Sequence, residues 1–302
     1  MWPRESEIPG LLASQKNVVG AHEPPILPLA AVGILRLYSG AMAELEITIL
    51  GSGTSIGVPA IGCDCETCRS PDPRDKRSRC SIYCRTPEAA WVVDTGPDFR
   101  MQCLRENIRK LDAALYTHAH MDHVTGFDEL RRFTIEQDHY MPIHATASCL
   151  ASLTRMFEYA FNGENRYRGY LKPWPMPIHG PFKIGDTDVT PLPVQHGKLE
   201  TIGYLFSRSG RKLCAYISDC KSVPAETRAL MQGVDTLIID ALRFTPHPTH
   251  MSIDESLAFV DTLKPRETFF THFQCEIKHA RDEPEMPPHV RFAYDGMRLG
   301  WA

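Results

Sequence analysis

A chain of 302 residues, 43% hydrophobic and 23% charged, can bury a large core and has the composition of a globular protein. Its formal net charge of −4 excludes the strongly basic footprint that marks a dedicated nucleic-acid binder. The sequence contains no apolar run of the roughly 18 residues that a membrane-spanning helix needs, so none is predicted.

The first 42 residues differ in pattern from the rest. They contain prolines and scattered charges without sustained periodicity, so we predict a poorly ordered extension over 1–42 and one domain over 43–302. Met42 is an alternative start of the working protein. Acidic residues outnumber basic ones before the first apolar run, which disfavours a secretory signal, although the small residues around Ala41 leave export as an alternative. We expect a cytoplasmic location.

From residue 45 the pattern alternates between strands and helices. Short β-rich or apolar runs predict strands over 45–53, 89–96, 112–118, 188–196, 201–208, 212–219, 235–242 and 266–272. Helical spacing of apolar residues predicts helices over 97–111, 124–135, 149–161, 224–233 and 252–264. Alternation of this kind is typical of a layered α/β architecture.

Polar side chains that bind metals recur where these strands end. Five of them lie at or just past the end of an apolar strand: Asp94, His118, His196, Asp219 and His272. Core histidines would be scattered along strands and helices. The five positions therefore predict a common rim of functional groups.

The densest cluster is the sequence His118-x-His120-x-Asp122-His123. Imidazoles and carboxylates are the ligands of a hydrolytic pair of zinc, manganese or iron ions, and this set does not select among the three metals. His118 and His120 can face one ion, whereas Asp122 and His123 point to a second. Each ion needs a further ligand from elsewhere, for which the candidates are His196, His272 and a bridging Asp219.

In this order, these motifs resemble those of the metallo-β-lactamase superfamily over residues 45–302. The resemblance implies an α/β fold, a four-layer αββα sandwich. It implies that His118, His120 and His196 hold one metal ion, and that Asp122, His123 and His272 hold the second. Asp219 would bridge both ions. Asp94 would not bind an ion itself but would orient the loop that carries the 118–123 motif, and Asp122 would also be catalytic.

A second group of motifs narrows the resemblance. "GSGTSIGVPAIGCDCETC", "THMSIDESLAF" and "AYDGMRLGWA" are similar to the phosphoribosyl 1,2-cyclic phosphate phosphodiesterase branch. The close spacing of Cys63, Cys65 and Cys68 suits thiolates on one zinc in a reducing compartment. The branch implies a structural zinc whose fourth ligand is a histidine. Here that position is Cys275, and four-cysteine zinc sites are common.

The resemblance implies a metal-dependent phosphodiesterase that attacks a small cyclic or nucleotide-like phosphodiester with metal-bound hydroxide. His250 resembles the branch's general acid or phosphate clamp, and Lys198 is a candidate phosphate contact. The partner we expect is a small-molecule phosphodiester, with neither a membrane nor a nucleic acid, and a homodimer is a further expectation. The alternatives are a hydrolase of a lactone, thioester or tRNA 3′ end, and a non-catalytic accessory protein of cofactor biosynthesis. The residues do not fix the exact substrate.

Overall fold

The computed structural model of the chain describes residues 43–135, 139–163 and 169–302. The predicted extension over 1–42 lies outside the described residues. The strands are β1 Leu45–Gly51, β2 Ser81–Arg85, β3 Ala90–Val93, β4 Ala113–Leu115, β5 Met141–Ala145, β6 Pro173–Pro177, β7 Phe182–Ile184, β8 Thr187–His196, β9 Leu199–Arg208, β10 Arg211–Ile217, β11 Thr236–Asp240, β12 Glu267–Thr271, β13 Val290–Phe292 and β14 Arg298–Trp301. The helices are α1 Phe99–Arg105, α2 Met121–Val124, α3 Arg131–Thr134, α4 Ala147–Met156, α5 Glu158–Phe161, α6 Ala225–Met231, α7 Ile253–Leu263 and α8 His279–Asp282. Within these ranges, no helix has both the length and the apolar character that crossing a membrane requires.

The strands form two seven-stranded sheets of mixed direction. The first has the order β14-β1-β2-β3-β4-β5-β6, and the second has the order β13-β12-β11-β10-β9-β8-β7. In each sheet one part is antiparallel, and the other part, β3 to β6 or β10 to β13, is parallel. Because parallel strands end at the same edge, residues that follow them come together there.

Three apolar clusters separate four layers. Between the sheets, Trp91 packs against Phe206 with ring centroids 5.7 Å apart. A second cluster includes Phe99 of α1 and Leu153 of α4 and covers the outer face of the first sheet. A third includes Val260 of α7 and covers the outer face of the second. The αββα sandwich predicted from the sequence is confirmed.

Several predicted helices are shorter than their apolar pattern. Instead of continuing to residue 111, α1 ends at Arg105, because Asn107 turns the chain with a φ of 53°, a conformation that asparagine tolerates. The pattern over 149–161 is divided between α4 and α5 at Phe157, whose φ of −121° is not helical. In contrast, α7 begins where predicted, because Ser252 and Glu255 form a capping box.

Candidate dinuclear metal centre

A buried aspartate lies behind the loop that follows β4. Asp94 comes directly after β3 and is fully buried. Its carboxylate accepts hydrogen bonds from the backbone N–H and the hydroxyl of Thr117, each at 2.8 Å, and lies 2.8 Å from Nδ1 of His123. A carboxylate on Nδ1 fixes the ring and leaves Nε2 to bind a metal. Asp94 thus contacts the residues that its predicted orienting role requires.

Three histidines bring their ring nitrogens together at the ends of β4 and β8. Nδ1 of His120 lies 3.0 Å from Nε2 of His118 and 3.3 Å from Nε2 of His196. Burial lowers the pKa of His118 well below its usual range and also lowers the pKa of His120. Nδ1 of His196 lies 2.9 Å from the carbonyl oxygen of Thr249, which leaves Nε2 as its free nitrogen. Neutral rings with converging lone pairs are the form that binds metal.

Four further side chains form an adjacent group of ligand atoms. Nε2 of His123 lies 3.2 Å from a carboxylate oxygen of Asp122 and 3.2 Å from Oδ1 of Asp219, and Nε2 of His272 lies 3.2 Å from Oδ2 of Asp219. Among the described residues, three of these atoms are buried without a hydrogen-bond partner: Nε2 of His123, Oδ1 of Asp219 and Nε2 of His272. Buried polar atoms are rarely left unpaired, so the donor set fits a divalent cation.

Asp219 connects the two groups. Its Oδ2 lies 4.0 Å from Nε2 of His118 and 3.9 Å from Nε2 of His196, in addition to its contacts in the second group. Burial alone would raise the pKa of Asp219, but the charges of His272 and His123 outweigh burial and hold it well below its usual range. An ionised carboxylate between both groups has the position expected of a bridging ligand.

His250, the predicted acid, is held by a carboxylate that the sequence analysis missed. Nδ1 of His250 lies 2.7 Å from Oδ2 of Asp240, which is fully buried and also accepts the backbone N–H of Cys220 at 2.9 Å. The ring of His250 stacks on that of His272, with centroids 4.6 Å apart. Asp240 ends β11 as Asp94 follows β3, so the same strand-end pattern could have identified it.

These groups form the floor of an open cleft of about 520 Å³. It is lined by Ser55, His120, Asp122, His196, Gly197, Lys198, Leu199, Asp219, Thr249, His250 and His272. Lys198, the candidate phosphate contact, is among these lining residues, and its role stays a prediction. Ser55 and Thr249 line the cleft although the sequence analysis did not single them out, because neither has a recognisable metal-binding pattern.

The four predicted cysteine ligands converge away from this cleft. The sulfur atoms of Cys63, Cys65, Cys68 and Cys275 all lie within 4.8 Å of one another. The backbone N–H of Cys68 donates to Sγ of Cys65 at 3.4 Å, and this bond is the main cause that lowers the pKa of Cys65 to about 7. All four are free thiols. The donor set fits a tetrahedral zinc.

A buried ion pair fastens the cysteine-rich segment to the region of Cys275. Arg77 and Asp75 are joined at 3.0 Å, and both side chains are fully buried. Nη1 of Arg77 donates to the carbonyl of Ile277 at 2.8 Å, and the backbone N–H of His279 donates to Asp75 at 2.8 Å. These bonds hold together segments that are 200 or more residues apart in sequence, next to the four thiols.

Comparisons with known proteins agree with this geometry. A model of the beta-lactamase superfamily domain matches residues 91–273. An octanoyltransferase from Porphyromonas gingivalis is 35% identical over 84% of this chain, which spans about half (51%) of that relative's length. The crystal structure of a diphosphatase from the PhnP family is 35% identical, with a TM-score of 0.78, and the match covers 85% of this chain and 98% of that one. Zinc-bound PqqB from Methylobacterium extorquens is 21% identical over 84% of this chain and 99% of its own, with a TM-score of 0.69, which supports the fold alone.

The family model covers more than half of the chain, and the diphosphatase resembles this chain in sequence, at 35% identity, as well as in fold. The chain therefore belongs to the beta-lactamase superfamily, most of whose members are hydrolases, and it has the metallo-β-lactamase fold.

Proposed function

We propose that this chain is a dinuclear metal-dependent phosphodiesterase that hydrolyses a small cyclic or nucleotide-like phosphodiester, such as a phosphoribosyl 1,2-cyclic phosphate. The observation that carries the proposal is the position of His250, which lines the cleft next to two groups of ligand atoms joined by Asp219. The 35% identity to a diphosphatase from the PhnP family supports chemistry at phosphorus.

Seven side chains would hold the ions. His118, His120 and His196 would bind one, Asp122, His123 and His272 the other, and Asp219 both. Two divalent ions there would activate water as the nucleophile and neutralise charge on the phosphate. The donor set accepts zinc, manganese or iron. We further propose that Cys63, Cys65, Cys68 and Cys275 hold a structural zinc, because thiolates favour zinc over harder ions.

The remaining groups of the cleft would bind the phosphate and move a proton. Asp240 would accept a hydrogen bond from Nδ1 of His250 and fix the ring, which leaves Nε2 to give a proton to the departing oxygen. Lys198 lines the cleft two residues after His196 and would contact a phosphate oxygen as a point charge. His250 and Lys198 would contact the substrate and not the ions. The reaction would therefore need these two side chains as well as the metal-binding ones.

The test is hydrolysis by the purified, metal-reconstituted protein across a panel of phosphodiesters. The panel contains ribose 1,2-cyclic phosphate and 2′,3′-cyclic nucleotides, with His120→Ala as the inactive control. We expect turnover of a cyclic phosphate that the variant lacks. The absence of turnover on every member, with both ions bound as measured by elemental analysis, would refute the proposal.

The relative from Porphyromonas gingivalis favours a second candidate. That protein is an octanoyltransferase, although this chain spans only about half of its length. An acyl ester or thioester would be the corresponding substrate class here, because metal ions held by the same side chains would polarise a carbonyl. Octanoyl thioesters in the same panel would distinguish this candidate from the phosphodiesterase.

A further inference from the structure

The proposed acid lies at the end of a loop, residues 244–250, between β11 and α7. Two backbone hydrogen bonds close the base of this loop. The N–H of Leu242 donates to the carbonyl of Met251 at 2.9 Å, and the N–H of Ile253 donates to the carbonyl of Arg243 at 2.9 Å. These bonds fix the two ends of the loop but not the path of the residues between them.

The loop itself contains little that would fix its path. The structure describes all of residues 244–250 and shows neither a helix nor a strand among them. Its exposed residues are Phe244, Thr245, Pro246 and Pro248. A segment with few buried apolar contacts opens easily, so the order of this loop depends on bonds from elsewhere in the fold.

The side chain of Arg243 supplies such bonds to the first half of the loop. Its Nε donates to the carbonyl of Thr245, and its Nη2 donates to the carbonyl of Pro246, each at 3.1 Å. Its Nη1 donates to Oε1 of Gln274 at 3.4 Å. Gln274 is two residues after His272, so the guanidinium fastens the loop to the segment that carries this metal-binding residue.

The geometry of these bonds requires a guanidinium. All three acceptors are neutral oxygens, two backbone carbonyls and one side-chain amide. The planar fork of arginine reaches several acceptors at once, whereas a lysine ammonium would keep the charge without this geometry. Arg243 does not line the cleft, so its contacts affect a bound substrate only through the residues that it holds.

The far end of the loop carries groups of the candidate active site. The carbonyl of Thr249 lies 2.9 Å from Nδ1 of His196, and Nδ1 of His250 lies 2.7 Å from Oδ2 of Asp240. A single bond at Nδ1 holds one corner of the His250 ring. The position of Nε2, on the other side of the ring, therefore also depends on the backbone of the loop.

From these contacts we propose that Arg243 is a positioning residue for His250. Its guanidinium fixes the loop and thereby the place of Nε2 relative to the departing oxygen of the substrate. The inference rests on the proposed function for the role of His250 as the acid. Small displacements of a catalytic group cost much of its effect, so the loss of Arg243 should weaken proton transfer in particular.

Arg243→Lys tests this role by steady-state hydrolysis of a cyclic alkyl phosphate and of bis(p-nitrophenyl) phosphate at equal metal content. We expect kcat for the alkyl substrate to fall about tenfold, because Asp240 still holds the ring, with KM unchanged. The nitrophenyl substrate needs no proton, so its kcat should fall less than about twofold. The double variant Arg243→Lys/His250→Gln should be no slower than His250→Gln alone, because both changes affect the same step.

Arg281→Lys is the matched control. Nη2 of Arg281 also donates to a backbone carbonyl, that of Glu276 at 2.8 Å, but its other bonds go to Asp282 and not to the loop. We expect this variant to hydrolyse both substrates at the wild-type rate. A merely structural role of Arg243 would slow both substrates equally and add its loss to that of His250→Gln.

Hydrogen exchange of the metal-reconstituted proteins tests the loop without requiring turnover. Backbone N–H groups over residues 244–251 should exchange several-fold faster in Arg243→Lys than in the wild type, while those of β11 stay unchanged. Unchanged exchange, equal losses on the two substrates, additive losses with His250→Gln, or loss of bound metal from Arg243→Lys would overturn the inference. Faster exchange in a protein that hydrolyses no phosphodiester would support the hold of Arg243 on the loop while refuting the proposed function.

Discussion

Replacing His250 separates acid catalysis from phosphate binding. Its Nδ1 is 2.7 Å from the buried Asp240, and its side chain is only 12% exposed, so the ring is fixed with Nε2 as the free nitrogen. Glutamine can still donate a hydrogen bond from nearly the same position but cannot supply a proton. The variant His250→Gln should therefore lose the acid and retain much of the binding.

The expected loss depends on the leaving group. General acid catalysis typically contributes between 100-fold and 10,000-fold, and we expect a loss of about 300-fold in kcat/KM for a cyclic alkyl phosphate, or about 3.4 kcal/mol in activation free energy. Bis(p-nitrophenyl) phosphate releases a stable anion that needs no proton, so its loss should be less than about tenfold. Asp240→Asn removes a charge-assisted bond of about 2 kcal/mol and should cost about 30-fold on the alkyl substrate.

The assay is steady-state hydrolysis of both substrates with the metal content of each variant measured in parallel. Metal content matters because Oδ1 of Asp240 also lies 3.8 Å from Nδ1 of His272. The control is His247→Gln, a neighbouring ring 5.1 Å from His250 that does not line the cleft. Equal losses on the alkyl and nitrophenyl substrates at full metal content would show that His250 binds phosphate and is not the acid.

Three other predictions concern stability and metal binding. Cys275→Ser should lower the zinc content by one ion per chain and reduce Tm, whereas Cys103→Ser, at a thiol outside the cysteine cluster, should leave the zinc content unchanged. Elemental analysis measures the zinc content and calorimetry measures Tm. Arg266 lowers the pKa of Asp235 to about 2, below its unfolded value near 4, so this stabilisation is complete above pH 4 and is lost as the pH falls towards 2. Urea unfolding at pH 7 should show that Asp235→Asn costs less than about 1 kcal/mol, because the pair is solvent-exposed, and the difference from the wild type should shrink at pH 3. Arg77→Met should cost about 3–5 kcal/mol in the same measurement, because its buried carboxylate partner remains unpaired.

The strands that carry the metal-binding residues were predictable because they are short, apolar and followed by a polar residue. The strands at the sheet edges were not predicted. For example, β6 contains three prolines over Pro173–Pro177, a composition that disfavours a strand and is tolerated here because β6 is at the edge of its sheet. Similarly, β14 pairs Trp301 with Leu45, and a pairing so distant in sequence has no local signal.

The same distinction between local and distant signals applies to the candidate site. The 118–123 motif is local, so its ligands could be named before the structure was known. Asp240 has no metal-binding neighbour in sequence; its place at the end of a strand could have marked it, but its partner His250, 2.7 Å away, is evident only in the fold. The position of Cys275 was inferred from a family resemblance, since spacing alone cannot connect it to Cys63 across more than 200 residues.

The segment from His272 to Cys275 connects the two candidate metal sites. His272 contributes to the cleft, and Cys275 contributes its sulfur to the other site. Between them, Phe273 donates its backbone N–H to the carbonyl of Ser52 and accepts the N–H of Thr54, which fixes the segment against the first sheet. The ring of Phe273 also packs under Arg77, at 4.9 Å from the guanidinium carbon. Because this one short segment carries ligands for both sites, a well-ordered cysteine cluster helps to fix the position of His272. A zinc ion bound by the four cysteines would therefore stabilise the geometry of the candidate active site, although the zinc site lies outside the cleft.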